Sequence, residues 1–333
     1  MEDHNSSSAA PDFLIRIETK ELEELSQYIK EADIELHQAG GTLAPSNLVT
    51  LGLDNIHLQV GSYGSAVISH ASSDKERFGL LYKIDNLSTT KCNGYHMDND
   101  MFIAYGNNSE HIAYNDGPCR WAYITLERSF LEEHVLETVN RKIDTNSGAV
   151  SCFHCGDSAA TGSLVDVINE ITVLAKKNPS FFKNDYLRTG MEYSLLEAQI
   201  AVLGRTLDAP ANGNGNGRGK TSHSLIIKRS ADFLKANSYK PIHVTDLCSA
   251  LGVRMRTLYY AFQEFYGISP INFLRLLRLT KARKDLLEAD PKKTSVTDVA
   301  AKWHFWHFGR FSVEYKNLYG ESPSATLGKA GQR

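Results

Sequence analysis

The 333-residue chain repeats itself in its last third, and that repeat limits the local fold more than any other feature. Val244-Thr245-Asp246-Leu247-Cys248 returns 52 residues later as Val296-Thr297-Asp298-Val299-Ala300. A small residue follows the aliphatic one each time, where a second helix can pack closely. In the first copy Leu251-Gly252-Val253 then supplies a turn, and Leu258 and Phe262 fall on one face of a following helix. In the second copy Trp303-His304-Phe305 takes the turn position, and Phe311 and Tyr315 follow at an offset of 53, so the second turn is one residue longer. The pattern predicts two helix-turn-helix units, the arrangement that lays its second helix in the major groove of DNA.

Between the copies, Ser269-Pro270 opens a long helical pattern in which Phe273, Leu274, Leu277, Ala282, Leu286 and Leu287 are apolar. A helix over residues 270–288 is a rod of about 28 Å at ~1.5 Å per residue. That approaches the roughly 34 Å between successive major-groove faces on one side of B-DNA, so one chain can present both second helices to the same side.

Upstream, Ala209-Pro210-Ala211-Asn212-Gly213-Asn214-Gly215-Asn216-Gly217-Arg218-Gly219-Lys220 has no large apolar side chain to anchor it and reads as a flexible linker. It divides the chain into residues 1–208 and residues 221–333, a comfortable length for two cores. The division also separates charge. Up to Gly217 there are 16 Lys and Arg against 30 Asp and Glu; from Arg218 on there are 20 against 9. The net charge of −3 conceals an acidic part and a basic one, and the basic part suits a polyanionic partner.

The first part is strand-rich. Residues 65–70, 78–84, 101–105 and 121–126 are short aliphatic and aromatic runs between polar turns, which predicts a small sandwich or barrel. From Ser163 to Leu207 the spacing becomes helical, with Leu164, Val167, Ile168 and Ile171 on one face and Tyr193, Leu196, Ile200 and Leu203 on another. These two helices close the first domain or supply a dimer contact. The expected fold class is α+β: a β-rich domain with closing helices, then an all-α domain.

Trp121, Tyr123 and Thr125 share one strand face, where core packing is favoured over a pocket. Cys152-Phe153-His154-Cys155 spaces two thiols as a metal or redox pair would, yet without a second ligand pair. His57, His70, His96 and His111 are scattered, so the alternative of a metal-dependent enzyme lacks a visible ligand cluster, and no cofactor is expected. Five cysteines, a polar acidic start and no long apolar run point to a reduced, cytoplasmic protein without a membrane segment.

Gly267-Ile268-Ser269-Pro270, Arg278-Leu279-Thr280-Lys281-Ala282-Arg283, Phe305 through Phe311-Ser312 to Tyr315-Lys316, and Gly320-Glu321-Ser322-Pro323 together resemble the signature of the AraC/XylS family of transcription regulators. The resemblance covers about residues 223–327. His307-Phe308-Gly309-Arg310-Phe311 and Ser322-Pro323-Ser324-Ala325-Thr326-Leu327 look most like the branch of alkylbenzoate- and ethanolamine-responsive activators.

It implies a cupin-like sensor before the linker, a small-molecule effector, duplex DNA as partner, RNA polymerase beyond it, and a homodimer as a further option. An architectural DNA-binding protein with an inert first domain is the other alternative. The family's DNA-facing positions fall on Arg256, Tyr259 and Tyr260 in the first unit, with Arg254 at the helix start and Gln263 one turn further; in the second unit Arg310 is the only guanidinium near a reading position and His307 is a candidate phosphate or base partner. Lys281, Arg283, Lys284 and Lys302 read as general basic surface. Two departures stand out: His304 where the family usually has Gly, and Val313 where it often has Arg. The first puts strain into the second turn, and the second removes a DNA contact.

Overall fold

The computed structural model describes residues 14–41, 43–73, 77–106, 108–132, 150–208 and 217–330. Residues 209–216 of the expected linker lie outside them. The helix that follows begins at Gly217, inside the stretch read as linker.

Thirteen strands build two facing sheets from the described residues. In chain order they are β1 (Leu14–Thr19), β2 (Ala32–Gly40), β3 (Ser46–Gly52), β4 (Ile56–Tyr63), β5 (Ala66–Ser73), β6 (Arg77–Lys83) and β7 (Thr90–Cys92), followed by β8 (Tyr95–Met97), β9 (Met101–Tyr105), β10 (Glu110–Asn115), β11 (Cys119–Glu127), β12 (Val150–Cys155) and β13 (Thr206–Asp208). One sheet has the order β1-β3-β4-β11-β6-β9-β12-β13 and the other β2-β5-β10-β7-β8. All four runs read as strands from sequence are strands.

Alternation along β11 shows how the sheet is used. Ala122, Ile124 and Leu126 face outward and join a core with two long helices, Ser158–Lys177 and Asp185–Gly204. Leu164, Ile168, Ile171, Leu195, Leu196 and Leu203 supply the helices' side of that core. The helices therefore close the first domain. Tyr193, expected on the buried face, is 62% exposed because the turn that packs inward is centred on Leu195 and Leu196.

The C-terminal part is helical. Numbering helices in chain order, α1 is Leu22–Ser26, α2 Arg128–Leu131, α3 and α4 the two closing helices, and α5 Gly217–Ala236; then α6 (Val244–Leu251), α7 (Met255–Tyr266), α8 (Pro270–Glu288), α9 (Val296–Lys302), α10 (Phe308–Tyr319) and α11 (Pro323–Ala330). The rod expected over residues 270–288 is α8, opened by the Ser269 hydroxyl accepting from the Asn272 N–H at 3.2 Å with Pro270 at the first helical position. No helix among the described residues is long and apolar enough to cross a membrane.

The two parts are packed together. Ile68 of β5 and Ile112 of β10 sit in the same core as Phe265, Tyr266 and Phe273. Opposite charges meet across the contact: Asp33 with Lys235 at 2.8 Å, Glu110 with Lys228 at 3.2 Å, and Glu21 with Arg283 at 2.6 Å. Arg283 is thus a correction to the sequence reading. It is 3% exposed, also holds Glu321 at 2.8 Å, and stacks over the Tyr319 ring at 4.6 Å. An arginine on the inner side of α8 looks like any surface arginine until its acidic partners, 262 and 38 residues away in sequence, are known.

Candidate nucleic-acid interface and ligand cavity

Both helix-turn-helix units begin with the same device. In α9 the Ser295 hydroxyl accepts from the Asp298 N–H at 3.1 Å while the Asp298 carboxylate accepts from the Ser295 N–H at 3.0 Å. The Ser295 hydroxyl, donating to the Asp298 carboxylate at 2.6 Å, and the Ser295 N–H hold that carboxyl below its ordinary pKa. In α6 the Asp246 carboxylate accepts from the His243 N–H at 2.8 Å. The repeated Val-Thr-Asp is therefore a helix start, with Asp satisfying an otherwise unpaired backbone donor. The spacing Ser295-x-x-Asp298 carries that capping signal, which a reading of the repeat through its small residues alone passes over.

The turns match as well. The Val253 N–H reaches Cys248 O at 3.1 Å and the Phe305 N–H reaches Ala300 O at 2.9 Å, so both helices end in the same left-handed cap. Gly252 fills it at φ +65° and His304 at φ +59°. The strain expected at His304 is present, and its ring stacks on His243 at 5.4 Å and on Trp306 at 5.8 Å. The extra residue of the second turn is Trp306, which is 68% exposed.

α7 and α10 follow, each twelve residues long and each ended by a glycine at positive φ, Gly267 and Gly320. Leu258, Phe262, Phe265 and Tyr266 are buried in the first; Phe311, Tyr315, Leu318 and Tyr319 are buried in the second. The outward residues include every one singled out from sequence. Arg254 caps α7, and the Arg256 guanidinium donates to the Tyr260 hydroxyl at 3.0 Å and lies 5.4 Å from that ring's centre. Tyr259 and Tyr260 are about half exposed. Gln263 folds back, its amide donating to Gly267 O at 2.9 Å. In the second unit His307 caps α10, and Arg310 donates to the Glu314 carboxylate at 2.8 Å. Sequence reasoning missed Trp306 and Phe308 and took Val313 only as a lost arginine contact; all three are exposed apolar side chains on this surface.

A second feature lies between the sheets. Ala71, Leu81, Met97, His111, Trp121 and Tyr123 are among the residues around a space of about 780 Å³, counting its open end. The strand face holding Trp121 and Tyr123 therefore lines a cavity, contrary to the core packing expected of it. Two glycines make the room. A Cβ on Gly61 would stand 2.2 Å from the Trp121 ring, and one on Gly79 2.2 Å from the Tyr123 hydroxyl oxygen. Thr125, further along, is buried and accepts from Arg77 Nε at 3.1 Å.

At the polar side of the cavity, Tyr105 Oη is 2.7 Å from His111 Nδ1 and Ser69 Oγ is 2.9 Å from Nε2. Burial, with the nearby His70 adding repulsion, pushes the His111 imidazole down to about 3, so it is neutral at ordinary pH. Cys152 and Cys155 are buried on opposite faces of β12, in different cores, so the two thiols do not share a site despite their spacing. Among the described residues no group of three or more His, Cys, Asp or Glu is placed to hold a metal.

Residues 247–329 match the helix-turn-helix domain family. The chain is 42% identical over 102 residues to the probable thc operon regulatory protein of Rhodococcus erythropolis, covering 31% of each protein. It is 32% identical over 100 residues to XylDLEGF operon transcriptional activator 2 of Pseudomonas putida, covering 30% of this chain and 64% of that one. The C-terminal domain belongs to the AraC/XylS family. A crystal structure of a probable AraC family transcriptional regulator from Rhodopseudomonas palustris is 32% identical across 32% of this chain and 97% of its own, with a TM-score of 0.29. The AraC/XylS match thus takes in under two thirds of the curated relatives' own length, and the domain it describes is the one carrying α6 to α11.

Proposed function

We propose that the protein is a sequence-specific duplex-DNA-binding transcription regulator, an activator whose DNA binding responds to a small molecule held between the sheets of its first domain. The observation that carries this reading is the pair of matched helix-turn-helix units mounted on α8 with exposed second helices. Arg254, Arg256, Tyr259, Tyr260 and Gln263 are the reading residues of the first unit, and His307 and Arg310 contact DNA from the second. Residues 1–208 sense and residues 221–333 read, joined by the intervening linker. RNA polymerase and a second copy of the chain are further partners, and the relatives, named as regulators, favour a non-enzymatic protein of the cytoplasm.

Strand alternation gives the cavity a route to the reader. On β10, His111 faces the cavity while its neighbours Glu110 and Ile112 face the helical domain, one paired with Lys228 and the other in its core. On β7, Lys91 reaches the last carbonyls of α7, Gln263 O at 3.1 Å and Glu264 O at 3.4 Å. A ligand that fits one arrangement of these strands better than another shifts the reader by that difference in affinity.

The experiment is selection of the full chain against a randomised duplex library of about 30 base pairs, three helical turns. The expected result is an enriched motif whose affinity falls steeply with salt and changes with a compound that raises the chain's melting temperature. No enrichment over the starting library would refute the proposal.

A further inference from the structure

We infer that the two units read DNA by different chemistry: the first through hydrogen bonds, the second through an apolar strip, Gly309 and Val313, that packs on thymine methyl groups. The inference rests on the DNA-binding reading above and names the sequence chemistry of its second half-site.

The repeat supplies an internal ruler. Four of the five buried residues of α7, Leu258, Phe262, Phe265 and Tyr266, have buried counterparts in α10 at an offset of 53, and both helices end in a left-handed glycine at the same place. The two helices are therefore rotated alike about their axes, and residues 53 apart face the same way. Arg256, Tyr260 and Gln263, the outward line of α7, correspond to Gly309, Val313 and Lys316 in α10. Where the first unit carries a guanidinium bonded to a phenol, the second carries no side chain at all and then a pair of methyl groups.

Arg310 does not repair this difference. It corresponds to Thr257, on the flank of α7, and its Nε is drawn aside to Glu314, which also accepts from Arg275 of α8 at 3.0 Å, so it reaches DNA from beside the strip. Val313 is 60% exposed, and a Cβ on Gly309 would meet nothing within 4 Å, so both positions are open outward.

Such a strip has no donor or acceptor for base edges. The only apolar group a base pair shows in the major groove is the thymine C5-methyl, and a glycine lets the helix backbone come close to it. Lys316, one turn on and exposed, supplies charge toward the phosphates.

The test uses the full chain and a duplex enriched from the randomised library. The first half-site is the one whose base preference relaxes with Arg256→Ala. Thymines are then replaced one at a time by deoxyuridine, which removes only the methyl, and affinity is read by fluorescence anisotropy. In the second half-site one or two replacements are expected to weaken binding about fourfold each, the worth of one buried methyl group. In Val313→Ala, which keeps only the Cβ carbon, the same replacements are expected to cost clearly less than fourfold.

Deoxyuridine without effect throughout the second half-site, while the duplex still binds, would overturn the inference and leave the DNA-binding reading standing. A Val313→Ala chain that binds DNA as before but loses transcription would assign the strip to a protein partner and overturn it likewise. Failure to enrich any duplex would remove both.

Discussion

Acidification should weaken the first domain through His111, and the size of the effect follows from its surroundings. The ring bridges the two sheets between Tyr105 and Ser69, its accessible part faces the cavity, and its folded pKa is pushed down to about 3. An unfolded histidine titrates near 6.5. The folded value lies below the unfolded one, so below about pH 6.5 the unfolded chain binds a proton that the folded chain refuses, and stability rises with pH across that window. A tenfold difference in proton affinity between the two states is worth ~1.4 kcal/mol, so going from about pH 7.5 to about pH 5 removes about 2 kcal/mol through this one group. Urea unfolding followed by tryptophan fluorescence, with Trp121 beside the site, measures it. In His111→Gln, which cannot protonate, the pH dependence should be smaller by about that 2 kcal/mol, even though the variant starts less stable. The same pH dependence in both proteins would refute the assignment of a neutral, buried imidazole.

Arg256→Ala should cost roughly 1–3 kcal/mol on an enriched duplex and leave affinity for random duplex nearly unchanged, as read by anisotropy; equal losses on both would make Arg256 a phosphate contact. Arg283→Ala leaves the Glu21 carboxylate without its cation beside an empty buried site, Glu321 keeping Lys329 and Thr326, and should cost about 3 kcal/mol in urea unfolding, whereas Glu21→Gln, which leaves Arg283 paired with Glu321, should cost less than half of that. Gly61→Ala drives a methyl into the Trp121 ring and should lower stability by about 1–3 kcal/mol while closing the cavity, so a compound that stabilises the parent chain in thermal shift should lose its effect.

What the sequence could reveal depended on how local the cause was. The two units were legible because each is a local grammar of helix start, turn and apolar face, and the 52- and 53-residue offsets fixed the second turn as one residue longer. The strands were legible from alternation. The cavity was not, because alternation says that Trp121 and Tyr123 share a face but not what stands opposite them. Only pairing with Gly61 across the β4–β11 ladder and the facing strands β5 and β10 shows that the space is left open.

The cross-domain contact was hidden for the same reason. The charge division set an acidic part beside a basic one and pointed to a polyanionic partner, but did not show that Arg283 is the residue taken inside. At the reading surface, charge pointed to Arg310 and Val313 counted only as a lost arginine contact, since charge is visible in a sequence and what an exposed apolar side chain can offer is visible only against the helix's buried face.

The central claim is that one chain places two reading helices on one side of a duplex, and hydroxyl-radical footprinting of the full chain on an enriched duplex tests it most directly. Two protected windows on the same face, centred about one helical turn or roughly 10 base pairs apart, are predicted, with Arg256→Ala weakening one and Val313→Ala the other. A single window, or two windows on opposite faces, would contradict it.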